Sequence, residues 1–563
     1  MRTANGTMPP AALTARRPRH LGALLPALAI ALAVLMPIAS IAFIALSGTG
    51  QDWPHLMRNV LPGSLVTTAV LLALVAAGTA SMGVVSAWLV VAFDFPLRRL
   101  SAWALVLPFA VPPYLAAYAF AEFFHFSGPV QSAIRALFGF QTRADYWFPE
   151  IRSTGGAALV MTAVLFPYVY MTTRIVFLMQ GRNIADVART LGAGPFKVFW
   201  RVLLPVAKPA IAAGVALVLM ETLNDIGASE YLGVRTLTFS IYSTWLNRGS
   251  LEGAAQIAMV MLVVVLFLLW AERWARRNQR FHAARATQVK VRPPRTGLKG
   301  WRAALATIAV ALPVVGGFGI PLYVFSRYAM RRLDQLFDGS LAMAMFNSVL
   351  TASGTAALTV LAALLLVHAQ RVSRSRAANA IVRTASLGYA MPGTILGLGL
   401  LFVFARFDNG VDALAREYLG ISTGLLVSGS AAAVVLACTL RFVALAEGSI
   451  RSGLDKLPPN IDEAARSLGR TPAQTAYSVV LPLLRPALFT AAVLVFVDTI
   501  KELSATILLR PFGFNTLATY VYENASRGVV EDGAIAALGI IATALVPVVL
   551  LSGALMRDRA ASL

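Results

Sequence analysis

Long apolar runs alternate with short polar segments along almost the whole chain. Each run has about 20 residues or more, the length that an α-helix needs to cross the hydrocarbon core of a bilayer. The first run follows three arginines, but it is longer than the apolar core of a cleaved signal peptide, so we interpret it as an uncleaved helix. The pattern predicts twelve membrane-spanning helices, at residues 21–46, 63–92, 101–123, 156–180, 206–227, 253–271, 302–325, 345–368, 380–405, 421–445, 483–505 and 532–556.

Composition points to the same class of protein. Of the 563 residues, 58% are hydrophobic and only 13% are charged, and the mean hydropathy is +0.71. Soluble domains carry about 25% charged residues, so the low charged fraction excludes an ordinary soluble protein. The predicted fold class is therefore an all-α polytopic membrane protein with about twelve transmembrane helices.

Positive charge is distributed unevenly between the two sides of this predicted topology. With the N-terminus inside, the inner segments hold 34 of the 48 Lys and Arg residues, so the positive-inside rule predicts that both termini are cytoplasmic. The net charge of +22 then faces anionic lipid headgroups, and we expect no nucleic-acid partner. The densest basic run lacks apolar periodicity and is predicted to be a linker on the membrane surface.

A short sequence pattern occurs twice, at residues 183–192 and 460–469. Each copy continues to a Leu-Pro pair, Leu204-Pro205 and Leu481-Pro482, and every matched position differs by 277. The constant offset indicates that the chain is two copies of one unit. Because each unit has an even number of spans, the repeats are parallel and related by an axis along the membrane normal. We divide the chain into a cytoplasmic tail (1–20), a first repeat (21–275), a basic linker (276–300) and a second repeat (301–563).

Each copy of the pattern predicts a short helix in a cytoplasmic loop. Asn183 and Asn460 can cap its N-terminus, with an acid three residues further on. Gly192 and Gly469 suit the left-handed residue that ends it, and Pro195 and Pro472 suit the first turn of a second helix. A helix of about eight residues is marginal alone. Its apolar stripe must therefore dock, either on the chain's own bundle or on another protein, and the pattern leaves both open. The stripe residues are Ile184, Val187, Ala188 and Leu191, and Ile461, Ala464, Ala465 and Leu468.

Pro and Gly interrupt two spans at equivalent places. Residues 107–113 (Leu-Pro-Phe-Ala-Val-Pro-Pro) resemble residues 387–393 (Leu-Gly-Tyr-Ala-Met-Pro-Gly). We expect both spans to be broken or kinked there, because irregular backbone at membrane depth is tolerated only where protein or a water-filled cavity covers it. A simple kink and the lining of a pathway are both compatible with this pattern.

Ionisable residues follow the span after each loop. The offset of 277 pairs Glu221 with Asp498 and Asp225 with Glu502, and it places Lys501 opposite Asn224. Charged groups in or near a bilayer usually face a cavity or an opposite charge, and carboxylate oxygens suit a hard cation. These six residues are therefore candidates for a pathway or gate. In the structural alternative, Lys501 pairs with Asp498 or Glu502, or the acids lie exposed at the outer interface.

Several common kinds of site are missing from the sequence. It has no Gly-x-x-x-x-Gly-Lys-Ser/Thr loop, so we do not expect it to bind ATP by that route. Cys438 is the only cysteine, and the five histidines show no ligand spacing. We assign no catalytic residues, no metal site and no cofactor, and we expect that the chain is not an enzyme.

The repeated loops resemble the signature loop of permease subunits in bacterial ABC importers, in which Glu-Ala-Ala is followed by Gly and by Leu-Pro. The second copy matches at Glu463-Ala464-Ala465, Gly469 and Leu481-Pro482, whereas the first lacks the Glu but keeps an acid at Asp186. The resemblance implies that each loop forms a coupling helix that seats in a groove of an ATPase subunit. The residues it assigns to this contact are Asp186, Ala188, Arg189, Leu191, Gly192, Glu463, Ala464, Ala465, Arg466, Leu468 and Gly469.

Two such loops in one chain resemble the fused permeases of iron(III) importers, over nearly the whole length. The resemblance implies two tandem six-helix type I importer (MetI-like) repeats in a bacterial inner membrane. It also implies a homodimer of ATPases that binds ATP and Mg at the cytoplasmic face, and a periplasmic substrate-binding protein. Ferric iron is the expected cargo, carried by alternating access, with thiamine or a phosphonate compound as alternatives. An ion-coupled secondary transporter and a scaffold without transport are the rival hypotheses.

Overall fold

The computed structural model describes residues 21–48, 50–179, 194–276, 295–373, 375–458 and 460–557, and these are almost entirely helical. The helices of the first half are α1 (Leu21–Ser47), α2 (Trp53–His55), α3 (Leu61–Ala92), α4 (Arg98–Ala104), α5 (Pro113–Phe124), α6 (Pro129–Phe138), α7 (Thr154–Met179), α8 (Pro195–Val198), α9 (Leu204–Asn224), α10 (Gly227–Tyr231), α11 (Leu237–Leu246) and α12 (Leu251–Arg276). The helices of the second half are α13 (Trp301–Val314), α14 (Ile320–Arg331), α15 (Gly339–Ser373), α16 (Arg376–Ala385), α17 (Gly393–Leu419), α18 (Ala432–Leu454), α19 (Ile461–Ser467), α20 (Pro472–Thr475), α21 (Leu481–Ile500), α22 (Thr506–Leu509), α23 (Leu517–Ser526) and α24 (Ala534–Arg557).

Eleven helical segments in these ranges are long and apolar enough to cross a membrane. A twelfth is obtained if the bent pair Arg98–Ala110 and Pro113–Phe138, which turns through 98°, counts as one span. The prediction of an all-α polytopic membrane protein is therefore confirmed. The bend lies where the Pro-rich stretch predicted a break, since proline removes a backbone donor and cannot continue a straight helix.

Two predicted spans in the second half have the wrong bounds. The run 380–405 is broken where the sequence predicted, because a 3₁₀ turn over Ser386–Ala390 separates α16 from α17, but α17 continues beyond the predicted end to Leu419. The run 421–445 becomes α18, which begins only at Ala432. Pro392 explains the first break because it fixes the backbone before α17. Gly420, with a φ of +66°, ends α17 as a left-handed C-terminal cap.

The internal repeat reappears in the helix boundaries. A five-residue π-helical segment begins at Phe199 in the first half and at Ala476 in the second. Helices α9 and α21 follow directly, and their first residues are Leu204 and Leu481. Both pairs of residues differ by 277, so the two copies share an irregularity as well as a sequence pattern.

The first helix of each half packs against the other half. Ala31 and Val34 of α1 are buried in a core that α15, α17 and α18 build, and the Ser40 hydroxyl donates a 2.9 Å hydrogen bond to the Gly399 carbonyl of α17. In return, Val310 of α13 and Phe325 of α14 are buried in the core that contains α3, α5 and α7. The two halves are therefore interlocked by an exchange of helices.

Connections at each end of the bundle contact one another. Strand β1 (Phe93–Asp94) pairs in parallel with β2 (Thr296–Gly297), and at the other end Arg332 forms a 2.5 Å ion pair with Asp532. Each contact joins segments that the sequence places on the same side of the membrane. Which side of the membrane faces the cytoplasm stays a prediction, as do the bounds of the two repeats and of the basic linker. Most of the linker lies outside the described residues.

Candidate functional site

The six candidate pathway residues meet in one cavity between the halves. Helices α9 and α21 end beside each other, and the segments that follow them line a cavity of about 530 Å³. Tyrosines and an arginine from other helices complete the wall. The charged and polar lining residues include Glu221, Asn224, Asp225, Asp498, Lys501 and Glu502, together with Tyr114, Tyr168, Tyr389 and Arg441.

One acid from each half also has a structural role. An oxygen of the Asp225 carboxylate accepts a 2.6 Å hydrogen bond from the backbone N–H of Ala228. The Glu502 carboxylate accepts an equivalent bond of 2.8 Å from the N–H of Ala505. Both bonds span three residues and satisfy a backbone donor where the chain turns into α10 or α22. The equivalence confirms the pairing of these two acids by the repeat.

Two ion pairs neutralise the acids of the second half. Arg441 in α18 contacts Glu502 at 2.5 Å, and the two side chains are only 7% and 6% exposed. Lys501 contacts Asp498 at 2.8 Å, with side chains that are 24% and 21% exposed, and its ammonium lies 5.0 Å from the centre of the Phe109 ring. The structural alternative is therefore confirmed for Lys501 and Asp498. The other alternative, exposure at the outer interface, is wrong for Asp225 and Glu502, which are buried.

Arg441 is the residue that the sequence analysis missed. Arg441 lies near the inner end of the predicted span 421–445 and is one of the 34 Lys and Arg residues that the predicted topology places on the inner side. Since α18 begins eleven residues later than that span, Arg441 lies inside the helix and points into the cavity. A charged residue within an apolar run was the only available signal, and it does not reveal a partner 61 positions away.

Polar contacts of Asn224 tie the two halves together beside the cavity. Its side-chain oxygen accepts a 2.6 Å hydrogen bond from the N–H of Gly393, and its carbonyl accepts one of 2.6 Å from the Ser504 hydroxyl. A Cβ at Gly393 would lie 2.9 Å from both Arg441 and Glu502. The backbone therefore approaches the ion pair at a position where a side chain would displace it.

Equivalent residues of the two halves also meet directly. Tyr242 and Tyr522 are each the sixth residue of their helices, α11 and α23, which begin at Leu237 and Leu517. These helices are 280 positions apart, three more than the offset of the repeated loops, and the two hydroxyls are 3.3 Å apart. Tyr522 also donates a 2.6 Å hydrogen bond to Glu230. A residue can contact its own repeat copy only near the axis that relates the copies. The tyrosine pair therefore marks the pseudo-two-fold axis.

The second repeated loop forms the predicted short helix. Helix α19 spans Ile461–Ser467, and Gly469 has a φ of +78°, the left-handed conformation expected of the residue that ends it. Its apolar stripe is divided between two environments. Ile461 packs against the core of the second half and Ala465 is buried, whereas Ala464 is exposed and Leu468 is 82% exposed. Docking on the bundle accounts for only part of the stripe.

Glu463 is also exposed, so α19 presents an acid and an aliphatic side chain at the surface. Arg466 lies in the same helix. Helices α8 and α20 begin at Pro195 and Pro472, as predicted. The first copy lies outside the described residues, including Asp186, Ala188, Arg189, Leu191 and Gly192.

The cavity has no cage of metal ligands in this conformation. Across the described ranges, no three His, Cys, Asp or Glu side chains are grouped so that they could hold a metal ion, and Cys438 is buried. Three of the four carboxylates, those of Asp225, Asp498 and Glu502, instead bond to backbone N–H groups or to Arg and Lys. The arrangement is a charged cavity in which Arg441 and Lys501 lie beside acids of the second half.

Comparisons with known proteins agree with the duplicated architecture. A family model described as "Binding-protein-dependent transport system inner membrane component" matches twice, over residues 79–280 and 360–560. The Fe(3+)-transport system permease protein FbpB 2 of Haemophilus influenzae is 24% identical over 504 residues, which are 88% of this chain and 90% of that protein. Single-repeat relatives match about half of the chain.

Two such relatives illustrate the pattern. The molybdenum transport system permease protein ModB of Escherichia coli is 28% identical over 42% of this chain and 99% of its own length. A putative 2-aminoethylphosphonate transport system permease protein of Salmonella paratyphi A is 28% identical over 45% of this chain and 89% of its own length. Together with two matched repeats and eleven or twelve membrane helices, these similarities show that the chain is a multi-pass membrane protein that belongs to the family of binding-protein-dependent transport system inner membrane components.

Proposed function

We propose that this chain is the permease subunit of an ATP-driven importer of ferric iron. The similarity to the Haemophilus iron permease extends over most of both chains. The observation that carries the proposal is the charge of the central cavity. Its lining holds four carboxylates and two cationic side chains, a formal charge of −2 when all are ionised. Such a cavity attracts a cation and repels an oxyanion such as molybdate or a phosphonate.

The proposed mechanism is alternating access around the pseudo-two-fold axis. A periplasmic binding protein delivers iron to the outer mouth, and the interlocked halves rock against each other to open the cavity to the cytoplasm. ATP and Mg bind to a homodimer of partner ATPase subunits and not to this chain. Both termini and both coupling loops face the cytoplasm of a bacterial cell, beneath the inner membrane.

Helix α19 supports the assignment of the ATPase contact. Its buried residues fix it to the bundle, and its exposed residues, Glu463, Ala464 and Leu468, remain accessible to another protein. By the repeat, the loop that contains Asp186 and Gly192 contacts the second ATPase subunit.

Uptake of iron tests the cargo. The chain is reconstituted into vesicles with its ATPase and binding protein, and accumulation of radiolabelled ferric iron is measured with and without ATP. We expect ATP-dependent uptake that excess thiamine or 2-aminoethylphosphonate does not reduce. Uptake of either competitor in place of iron would refute the iron assignment. Uptake driven by an ion gradient without ATP would favour a secondary transporter.

Substitutions in α19 and at its end test the coupling. Gly469→Asp adds a β-carbon and a charge at a left-handed position, and Glu463→Arg reverses the exposed acid. We expect both variants to insert normally but to lose association with the ATPase and ATP-dependent uptake. Gly420→Asp is a matched control, because Gly420 also ends a helix with a positive φ and has open space where a β-carbon would lie, but is outside the coupling loops. Normal transport by the Gly469 and Glu463 variants would contradict the proposal.

A further inference from the structure

The cationic side chains of the cavity all come from one half. Among its described lining residues these are Arg441 and Lys501, and the equivalent positions of the first half, 277 residues earlier, hold Val164 and Asn224. Glu221 and Asp225 therefore have no cation from their own repeat. Within the described residues, the Glu221 carboxylate has neither a hydrogen bond nor an ion pair. The cavity is asymmetric in charge although its backbone is symmetric.

Two residues that line the same cavity carry buried polar atoms without a partner. Tyr114 is one of the lining residues and is only 2% exposed, and no described group bonds to its hydroxyl. The Nε of Arg441 is also buried without a partner. Buried polar groups are nearly always satisfied, and those without a protein partner are typical of sites that receive a ligand or water. This observation is independent of the acidic residues and points to the same cavity.

The two cations are held differently. Arg441 is almost fully buried and makes a short contact to Glu502, which is itself fixed by the Ala505 N–H. Lys501 is about a quarter exposed and has one bond of 2.8 Å to Asp498, and its ammonium otherwise faces the Phe109 ring. A lysine is a compact charge on a flexible stem of four carbons, so it can leave a carboxylate with little rearrangement. Of the two cationic side chains, Lys501 is therefore the one that another cation can replace at its carboxylate.

We propose that the Lys501 ammonium is a tethered cation that occupies Asp498 between transport cycles and is displaced by the passing multivalent cation. This inference rests on the proposed function, since it takes a hard cation as cargo. Without Lys501 the formal charge of the cavity becomes −3, and a multivalent cation is held more tightly. Conduction requires a site that binds strongly enough to admit an ion and weakly enough to release it. Lys501 therefore keeps the affinity of the cavity for a multivalent cation low enough for release.

Terbium(III) binding tests this role on the purified full-length chain in lipid nanodiscs. Tb³⁺ is a hard trivalent cation that prefers oxygen ligands, and its luminescence is excited through nearby tyrosines such as Tyr168 and Tyr389, which line the cavity. Lys501→Asn gives the second half the residue of the first. We expect it to bind Tb³⁺ at least tenfold more tightly than the unchanged chain, whereas Lys501→Arg, which keeps the charge, should not.

Two further variants locate the effect. Lys208→Asn removes the same charge from an exposed position of α9 that does not line the cavity, and it should bind Tb³⁺ as the unchanged chain does. Adding Asp498→Asn to Lys501→Asn should abolish the gain. Equal affinity of the Lys501→Asn variant and the unchanged chain would overturn the inference, as would a gain that survives Asp498→Asn. Failure of iron uptake with a normal terbium gain would instead refute the iron assignment alone.

Discussion

The buried ion pair between Arg441 and Glu502 gives a quantitative test of the cavity. Glu502→Gln removes the negative charge but keeps an oxygen that can accept the Ala505 N–H bond of 2.8 Å. The arginine is then left charged and almost fully buried, with no carboxylate at 2.5 Å. Arg441→Met removes the cation, keeps a side chain of similar length and leaves Glu502 unpaired.

The expected magnitude follows from burial. Removing one partner of a buried pair costs about 3–5 kcal/mol, because an uncompensated charge stays in a low-dielectric environment. Replacing both partners removes that penalty, so the double variant should lie within about 1 kcal/mol of the unchanged chain. The two substitutions should therefore be strongly non-additive, as expected for residues in direct contact.

Equilibrium unfolding in mixed micelles, followed by tryptophan fluorescence, measures these free energies. The matched control is the pair formed by Arg143 and Glu150, which has the same N–O distance of 2.5 Å but side chains that are 71% and 57% exposed. Glu150→Gln should cost less than about 1 kcal/mol, because solvent screens an exposed pair. A cost for Glu502→Gln no larger than that of the control would refute the reasoning. So would a double variant as unstable as the sum of the single ones.

Two further predictions concern contacts between the halves. Gly317→Ala should destabilise the chain by about 1–3 kcal/mol, because its Cβ would overlap the backbone oxygen of Ala163 in α7. The control Gly316→Ala, whose Cβ would have no atom closer than 4.0 Å, should be tolerated. Equal unfolding midpoints of the two variants would contradict the exchanged packing. Tyr522→Phe should cost about 1.5–3 kcal/mol through the lost bond to Glu230. Tyr242→Phe loses only a 3.3 Å hydroxyl contact and should cost less. A larger loss of unfolding free energy for Tyr242→Phe than for Tyr522→Phe, in the same assay, would contradict these contacts between the halves.

The sequence predicted the features that depend on local pattern. Apolar runs identified the membrane helices, Pro and Gly marked the broken spans near residues 110 and 390, and the constant offset revealed the repeat. The pairing of Asp225 with Glu502 followed from the same offset and is confirmed by their equivalent backbone bonds. The helices and breaks are encoded within a few turns of chain, and the repeat is visible by comparing the sequence with itself, so no knowledge of the tertiary arrangement was needed.

The features that the sequence did not predict depend on contacts between distant segments. Apolar periodicity shows that α1 buries one face but carries no information about which half covers it. Arg441 was assigned to the wrong environment because the start of α18 was placed eleven residues too early, and a shift of that size moves a charge from the membrane surface into the interior. The division of the α19 stripe, with Ile461 covered and Leu468 exposed, likewise depends on neighbours far away in sequence.

The exchange of first helices has a consequence for biosynthesis. The bond from Ser40 to Gly399 joins positions that are 359 residues apart. At about 5–20 residues per second, the ribosome completes that distance only after roughly 20–70 seconds. During this interval α1 must wait in lipid or in the insertion machinery without its final neighbours. A polypeptide that ended after the first half would therefore lack the surface against which α1 packs. Two halves made as separate polypeptides should reach the native state only when they are synthesised in the same membrane.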